Sequence, residues 1–214
     1  MILIGIIGMK NAGKDTVGSY LIEKYGFQQL SFANSLKDAL CCIFKWPRNM
    51  IEGSTPESRV WRETIDPFWG ITPRYALEHF GTNLCRKQFD QNIWIKSLEK
   101  QLLMLPDDAR VVITDCRFEN EIAMIHNLGG TLIRVQRPPF PEWISIVEDL
   151  KQGNMSLSDA EQHLYKTNIH ETEWRSHLLS RDFNEHMILN DTSIEELMIK
   201  VEEVFSKLDY QFKD

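Results

Sequence analysis

Residues 8–16 read Gly8-Met9-Lys10-Asn11-Ala12-Gly13-Lys14-Asp15-Thr16, directly after the apolar run Ile2–Ile7 and directly before a helix-like stretch. This is the phosphate-loop pattern G-x-x-x-x-G-K, with aspartate where Ser or Thr usually follows the lysine. Glycines let the backbone turn tightly, so that successive N–H groups point at phosphate oxygens. The following helix adds its positive N-terminal end, and Lys14 a mobile charge. Strand, loop, lysine and helix in this order imply a nucleoside triphosphate site.

The rest of the chain repeats the alternation. Short apolar runs predict strands at Ile2–Ile7, Phe27–Phe32, Val111–Thr114, Thr131–Val135 and Met187–Leu189. Helical spacing predicts helices over Lys14–Tyr25, Ser35–Phe44, Arg74–Lys87 and Asn92–Met104. A last helix follows Thr192-x-x-Glu195, read as a capping box. Alternating strands and helices imply an α/β fold, a three-layer P-loop NTPase architecture with a parallel five-stranded sheet and helices on both faces. A single domain over 1–214 is expected, with an acceptor-side segment at about 35–105 and a lid-like segment at about 138–186. Residues 45–73 and 138–186 carry most of the prolines and read as loop-rich excursions.

Composition narrows the class. The 214 residues are 43% hydrophobic, enough for a core, and no apolar stretch approaches the length of a bilayer span. Cys41, Cys42, Cys85 and Cys116 form no C-x-x-C pair, which argues against zinc or a disulfide framework and for a reducing cytoplasm. A net charge of −7 argues against non-specific nucleic-acid binding, which needs many basic contacts. An anionic ligand must then be held by a local basic pocket, for which Lys10, Lys14, Lys37, Arg74 and Arg117 are the candidates.

Ligands of such sheets bind beyond the carboxyl ends of the strands. Besides the loop, Ser31–Asp38 and Asp115–Glu121 fall there. Lys10 can point beyond a γ-phosphate, and Lys37 can hold a monophosphate. Asp115 ends a buried-looking strand, as a Mg²⁺-holding aspartate does. Arg117 can neutralise charge on a transferred phosphoryl group. Asp15 can bind Mg²⁺ through water, cap the helix or position an acceptor. Trp61, Phe68, Trp69 and Trp94 fit an acceptor-side wall, a core or a homodimer interface equally well. A short chain, no N/T-K-x-D guanine signature and a second basic cluster favour a small-substrate kinase over a GTPase or motor.

The order of motifs resembles the bacteriophage deoxynucleoside monophosphate kinases over nearly the whole length. The pieces are Lys10…Gly13-Lys14-Asp15-Thr16, Leu36-Lys37-Asp38-Ala39-Leu40, Pro73-Arg74 with Gly81-Thr82, and Phe89-Asp90…Trp94-Ile95-Lys96. Asp115-x-Arg117…Glu121, Arg137-Pro138, His170-x-Thr172-Glu173 and Asn190-Asp191-x-Ser193-x-Glu195-Glu196-Leu197 follow. The resemblance implies transfer of the ATP γ-phosphate to a deoxynucleoside monophosphate (dNMP), with Mg²⁺. Gly13, Lys14, Asp15 and Thr16 would hold ATP, and Arg137 would pack on adenine. Lys10, Leu36, Lys37 and Arg74 would face the acceptor, with Arg117 and Glu121 at the nucleotide site. Glu78 stands where such sequences more often have glutamine; a carboxylate only accepts hydrogen bonds, which would favour a donor-rich base edge such as guanine. The rival readings are a phosphomevalonate- or dephospho-CoA-type kinase and a non-catalytic nucleotide-binding module.

Overall fold

The computed structural model describes residues 1–167, 169, 171–178 and 185–208, the side chains of 171 and 172 excepted. The chain opens with β1 (Ile2–Ile7), α1 (Lys14–Tyr25) and β2 (Gln28–Leu30). Five helices follow: α2 (Asn34–Phe44), α3 (Arg48–Glu52), α4 (Pro56–Glu63), α5 (Pro73–Glu78) and, after a π-helix over His79–Phe89, α6 (Ile93–Leu102). Then come β3 (Arg110–Cys116), α7 (Glu119–Asn127), β4 (Thr131–Gln136), α8 (Ile144–Lys151), α9 (Leu157–Lys166) and α10 (Glu171–Trp174). A 3₁₀ turn at Arg175–His177, β5 (Glu185–Leu189) and α11 (Ile194–Lys207) complete it. Two compact units result: Met1–Leu30 with Pro106–Asp214, and Ser31–Leu105.

The first unit is built on a five-stranded sheet in the order β2-β3-β1-β4-β5, every pairing parallel. On one face Ile4, Ile6, Val112, Ile133, Val135 and Ile188 pack with Val17 and Leu21 of α1 and Leu197, Val201, Val204 and Phe205 of α11. Full burial of each such side chain stabilises the fold by about 1.5–3 kcal/mol, so this layer is its main adhesive. On the other face Gly5 lies against Ile125 of α7. Leu132 and Arg134 alternate onto that face of β4. The Arg134 guanidinium is buried; it pairs with Glu185 and donates to the Ser176 carbonyl at 3.0 Å. The chain after α10 is thus tied to the sheet face. The expected lid-like stretch contains helices α8 to α10; Val147, Leu164 and Trp174 form a small core there. His170 of the quoted motif lies outside the described residues.

The second unit is helical. Its buried residues include Leu36, Leu40, Ile51, Ala76, Leu77, Trp94, Ile95 and Leu98. The Trp94 indole donates to the Gly81 carbonyl at 3.0 Å. Residues 45–73 are not the loop expected from their prolines. Thr55 caps α4, its hydroxyl accepting the Ser58 N–H at 3.1 Å, with Pro56 in the first turn. Thr72 caps α5 ahead of Pro73 in the same way. A proline at the first helical position lacks only an N–H that would be unpaired anyway, so these prolines start helices. The helix expected over Arg74–Lys87 changes type after Glu78. The Asp90 N–H reaches back to the Cys85 carbonyl at 2.8 Å, a five-residue π spacing.

Strand and cap boundaries also shift. β2 covers only Gln28–Leu30 at the sheet edge, although Phe27 and Phe32 are both buried. β3 and β5 are longer than expected. The cap of α11 is Ser193, not Thr192: its hydroxyl accepts the Glu196 N–H at 3.3 Å. Thr192 and Ser193 both stand three residues before a glutamate, so spacing alone does not choose between them.

Candidate nucleotide site

The loop leaves the end of β1 and enters α1 at Gly13. Gly8 is pressed against β4, where a Cβ would strike the Val135 carbonyl. Gly13 sits at φ 106°, a conformation that side-chain-bearing residues rarely adopt. No side chain caps α1, and its first internal bond runs from the Val17 N–H to the Gly13 carbonyl at 3.0 Å. The N–H groups of Gly13, Lys14, Asp15 and Thr16 therefore lack an acceptor among the described residues. An uncapped helix start following a constricted glycine turn fits a phosphate group.

Lys14 bends over this loop. Its ammonium donates to the carbonyls of Gly8 and Met9 at 2.9 and 2.8 Å. One of its three N–H bonds is left for a ligand. Burial lowers the Lys14 pKa and the Arg117 guanidinium lowers it further, while Asp15, Glu173 and Cys116 oppose the shift. Lys14, Asp15, Arg117 and Glu173 thus share one electrostatic neighbourhood. Two cations in a partly desolvated site are what a polyphosphate would neutralise.

Sheet register explains why Arg117 is there. Ile7 pairs with Cys116, so the end of β3 lies beside the strand that feeds the loop. Asp115 and Arg117 flank that position. Arg117 is exposed, and its Nη1 lies 3.7 Å from Glu173 of α10. Asp15, Thr16, Lys10 and Arg137 are all exposed, Arg137 directly after β4. Asp15 and Asp115 offer oxygen donors of the kind Mg²⁺ takes, and that ion needs few protein ligands when phosphates and water supply the rest. Among the described residues no cluster of three or more His, Cys, Asp or Glu could hold a metal by itself.

Glu121 is expected at the nucleotide, but its side chain is buried, with 2% exposure. Its Oε2 accepts the backbone N–H groups of Arg117 at 2.7 Å and Phe118 at 3.1 Å. The carboxylate shapes the turn that carries Arg117.

The second unit holds the remaining candidates. Leu36 is buried against Gly81 as part of that unit's core. Lys37 is bound: its ammonium lies 2.5 Å from Glu52, which also pairs with Arg48. Burial pushes the Glu52 carboxyl up, but Lys37 and Arg48 together bring its pKa below the usual value. Arg48 pairs in turn with Asp38 at 2.6 Å. Arg74, half-buried, lies 2.9 Å from Glu63 and 4.0 Å from Glu78, both exposed. Arg48 and Glu52 carry no motif, so the sequence offered no signal for them. Asn190 and Glu173 were visible only as members of motifs, without a role.

A parallel sheet with this loop at the end of its first strand defines the P-loop NTPase fold. No protein-family model matches the chain. Over 149 residues the chain is 40% identical to a protein of Acanthamoeba polyphaga mimivirus named "Putative deoxynucleotide monophosphate kinase", spanning 64% of this chain and 75% of that one. The chain belongs to the same family as that mimivirus protein, a family of P-loop kinases. Among solved structures, dephospho-CoA kinase from Campylobacter jejuni is similar with a TM-score of 0.49 at 15% identity, over 96% of each chain. A Thermus thermophilus protein is similar with a TM-score of 0.47 at 20% identity, over 97% of each chain. No helix among the described residues is long and apolar enough to cross a membrane.

Proposed function

We propose that this kinase transfers the γ-phosphate of ATP to a deoxynucleoside 5′-monophosphate, giving the diphosphate used for DNA precursors in the cytoplasm. The observation that carries the reading is the row of unpaired N–H groups from Gly13 to Thr16 under Lys14, in a chain 40% identical to a protein named for that activity. Gly13, Lys14, Asp15 and Thr16 bind the triphosphate, and Arg137 packs on the adenine. Mg²⁺ held through Asp15 and Asp115 would offset phosphate charge. Lys10 in the loop, and Lys37 and Arg74 in the second unit, are the basic groups this reading assigns to the acceptor, with Leu36 as apolar packing; an arriving phosphate competes with Glu52 for Lys37. Glu121 acts by fixing the backbone of Arg117.

The chemistry asks little of a general base. The acceptor phosphate is already ionised at neutral pH, so alignment and charge neutralisation supply the rate. Lys14 and Arg117 neutralise the transferring group, and the Arg117–Glu173 pair yields when phosphate arrives. Glu78 accepts hydrogen bonds only, which favours the N1–H and N2–H₂ edge of guanine.

A coupled ADP-release assay across dGMP, dTMP, dCMP, dAMP, phosphomevalonate and dephospho-CoA tests the reading. Turnover with dNMPs, dGMP foremost, is expected. Turnover only with one of the other two acceptors, or ATP binding without acceptor-dependent turnover, overturns it.

A further inference from the structure

A buried side chain 178 positions away in sequence is hydrogen-bonded to the phosphate loop. Asn190 follows β5 and is buried, with 8% exposure. Its Nδ2 donates to the Ala12 carbonyl at 2.9 Å. Its own backbone N–H donates to the Gln136 carbonyl at 2.7 Å, which fixes it to the end of β4. The amide packs so closely on the loop that a Cβ on Gly13 would lie 2.6 Å from Nδ2.

The bonded carbonyl belongs to the peptide whose other end is the Gly13 N–H. That peptide is planar and trans, so its C=O and N–H point in opposite directions. Holding the Ala12 oxygen toward Asn190 therefore holds the Gly13 N–H toward the opposite side, with the unpaired N–H groups of Lys14, Asp15 and Thr16 following it in the first turn. Without the clamp, this peptide can turn over and present a carbonyl to the phosphates. Glycine at position 13 makes such a turn sterically easy, since it lacks the Cβ that would resist.

We propose that Asn190 is a positioning residue of the phosphate loop, its side-chain amide clamping the Ala12–Gly13 peptide so that the loop's N–H groups face the triphosphate. The proposal rests on the reading of this loop as the ATP site, and it does not depend on which acceptor is used.

Asn190→Ala removes the donor; Asn190→Asp keeps the side-chain volume but sets a carboxylate against the Ala12 carbonyl. The measurement is direct titration of each variant with ATP and with adenosine, beside the acceptor KM and the melting temperature. The expected result is an ATP affinity at least about tenfold weaker, with Asp worse than Ala, while adenosine affinity and acceptor KM stay within twofold. ATP affinity within twofold of wild type in a folded variant overturns the proposal. So does equal loss of ATP and adenosine binding together with a large fall in melting temperature, the mark of a residue that merely stabilises. The wild-type protein gives an independent reading by NMR: the Asn190 side-chain N–H₂ should exchange slowly and shift when ATP binds. Exchange as free as that of a surface asparagine overturns the clamp even if both variants fail to fold. Wild-type ATP binding without dNMP turnover would count against the acceptor assignment alone.

Discussion

Lys14 and Arg117 carry charge where the surrounding core carries packing, and their removal should separate activity from stability. Arg117 is exposed, and its contact with Glu173 at 3.7 Å is of a kind worth about 0–1 kcal/mol. Lys14 makes two hydrogen bonds to loop carbonyls. Lys14→Ala and Arg117→Ala should each lower kcat by roughly 10³-fold, with a small change in unfolding free energy. Steady-state kinetics beside urea unfolding checks this, and a kcat near wild type in either variant removes that residue from the mechanism. At this scale the sequence singled out charged residues for a site and not which way their side chains point. Lys14 was legible because loop geometry leaves its side chain one course. Leu36 and Glu121 were singled out by the same motifs; in the structure one packs against Gly81 and the other accepts backbone N–H groups.

Elements were legible where their apolar period was long and where strands are central. β1, β4 and α11 lie close to their expected bounds because each supplies a continuous buried row. Short helices were missed for a definite reason. In α4 and α5 the proline that suggested a loop occupies the first helical turn behind a threonine cap. The start of α11 offers a sharp test of the cap. Ser193→Ala should cost about 1 kcal/mol, while Thr192→Ala should cost less than half of that. Urea denaturation of the two variants decides, and a larger loss at Thr192 would contradict the assignment of the cap.

On the scale of the whole molecule, one buried histidine ties stability to pH. Burial lowers the His177 pKa from its ordinary 6.5 to about 4, and the positive charges of Arg134, Lys151 and Lys14 add to the shift. Its Nε2 has no hydrogen-bond partner among the described residues. The folded state keeps this ring neutral while the unfolded chain protonates it below 6.5. Its contribution is therefore complete above pH 6.5 and is lost as the pH falls toward 4, a loss of about 3 kcal/mol. Urea unfolding at pH 7, 5.5 and 4.5 should show this slope in wild type and a shallower one in His177→Gln. Equal slopes would remove His177 as the cause. Nothing in the sequence marks it, because the histidines are scattered and it is the packing of the 3₁₀ turn that encloses this one.

The pairing of β2 with β3 bears on how such a chain can diversify. The two strands are parallel, and Leu30 pairs with Ile113. Residues 31–105 leave from the finishing end of one strand and return to the starting end of its neighbour. They are the crossover that parallel strands require, a connection of at least about a dozen residues. Residues 31–105 are therefore no cassette closed by a hairpin. Lineages could rewrite its surface or lengthen it freely, but could discard it only by keeping enough chain to run back along the sheet.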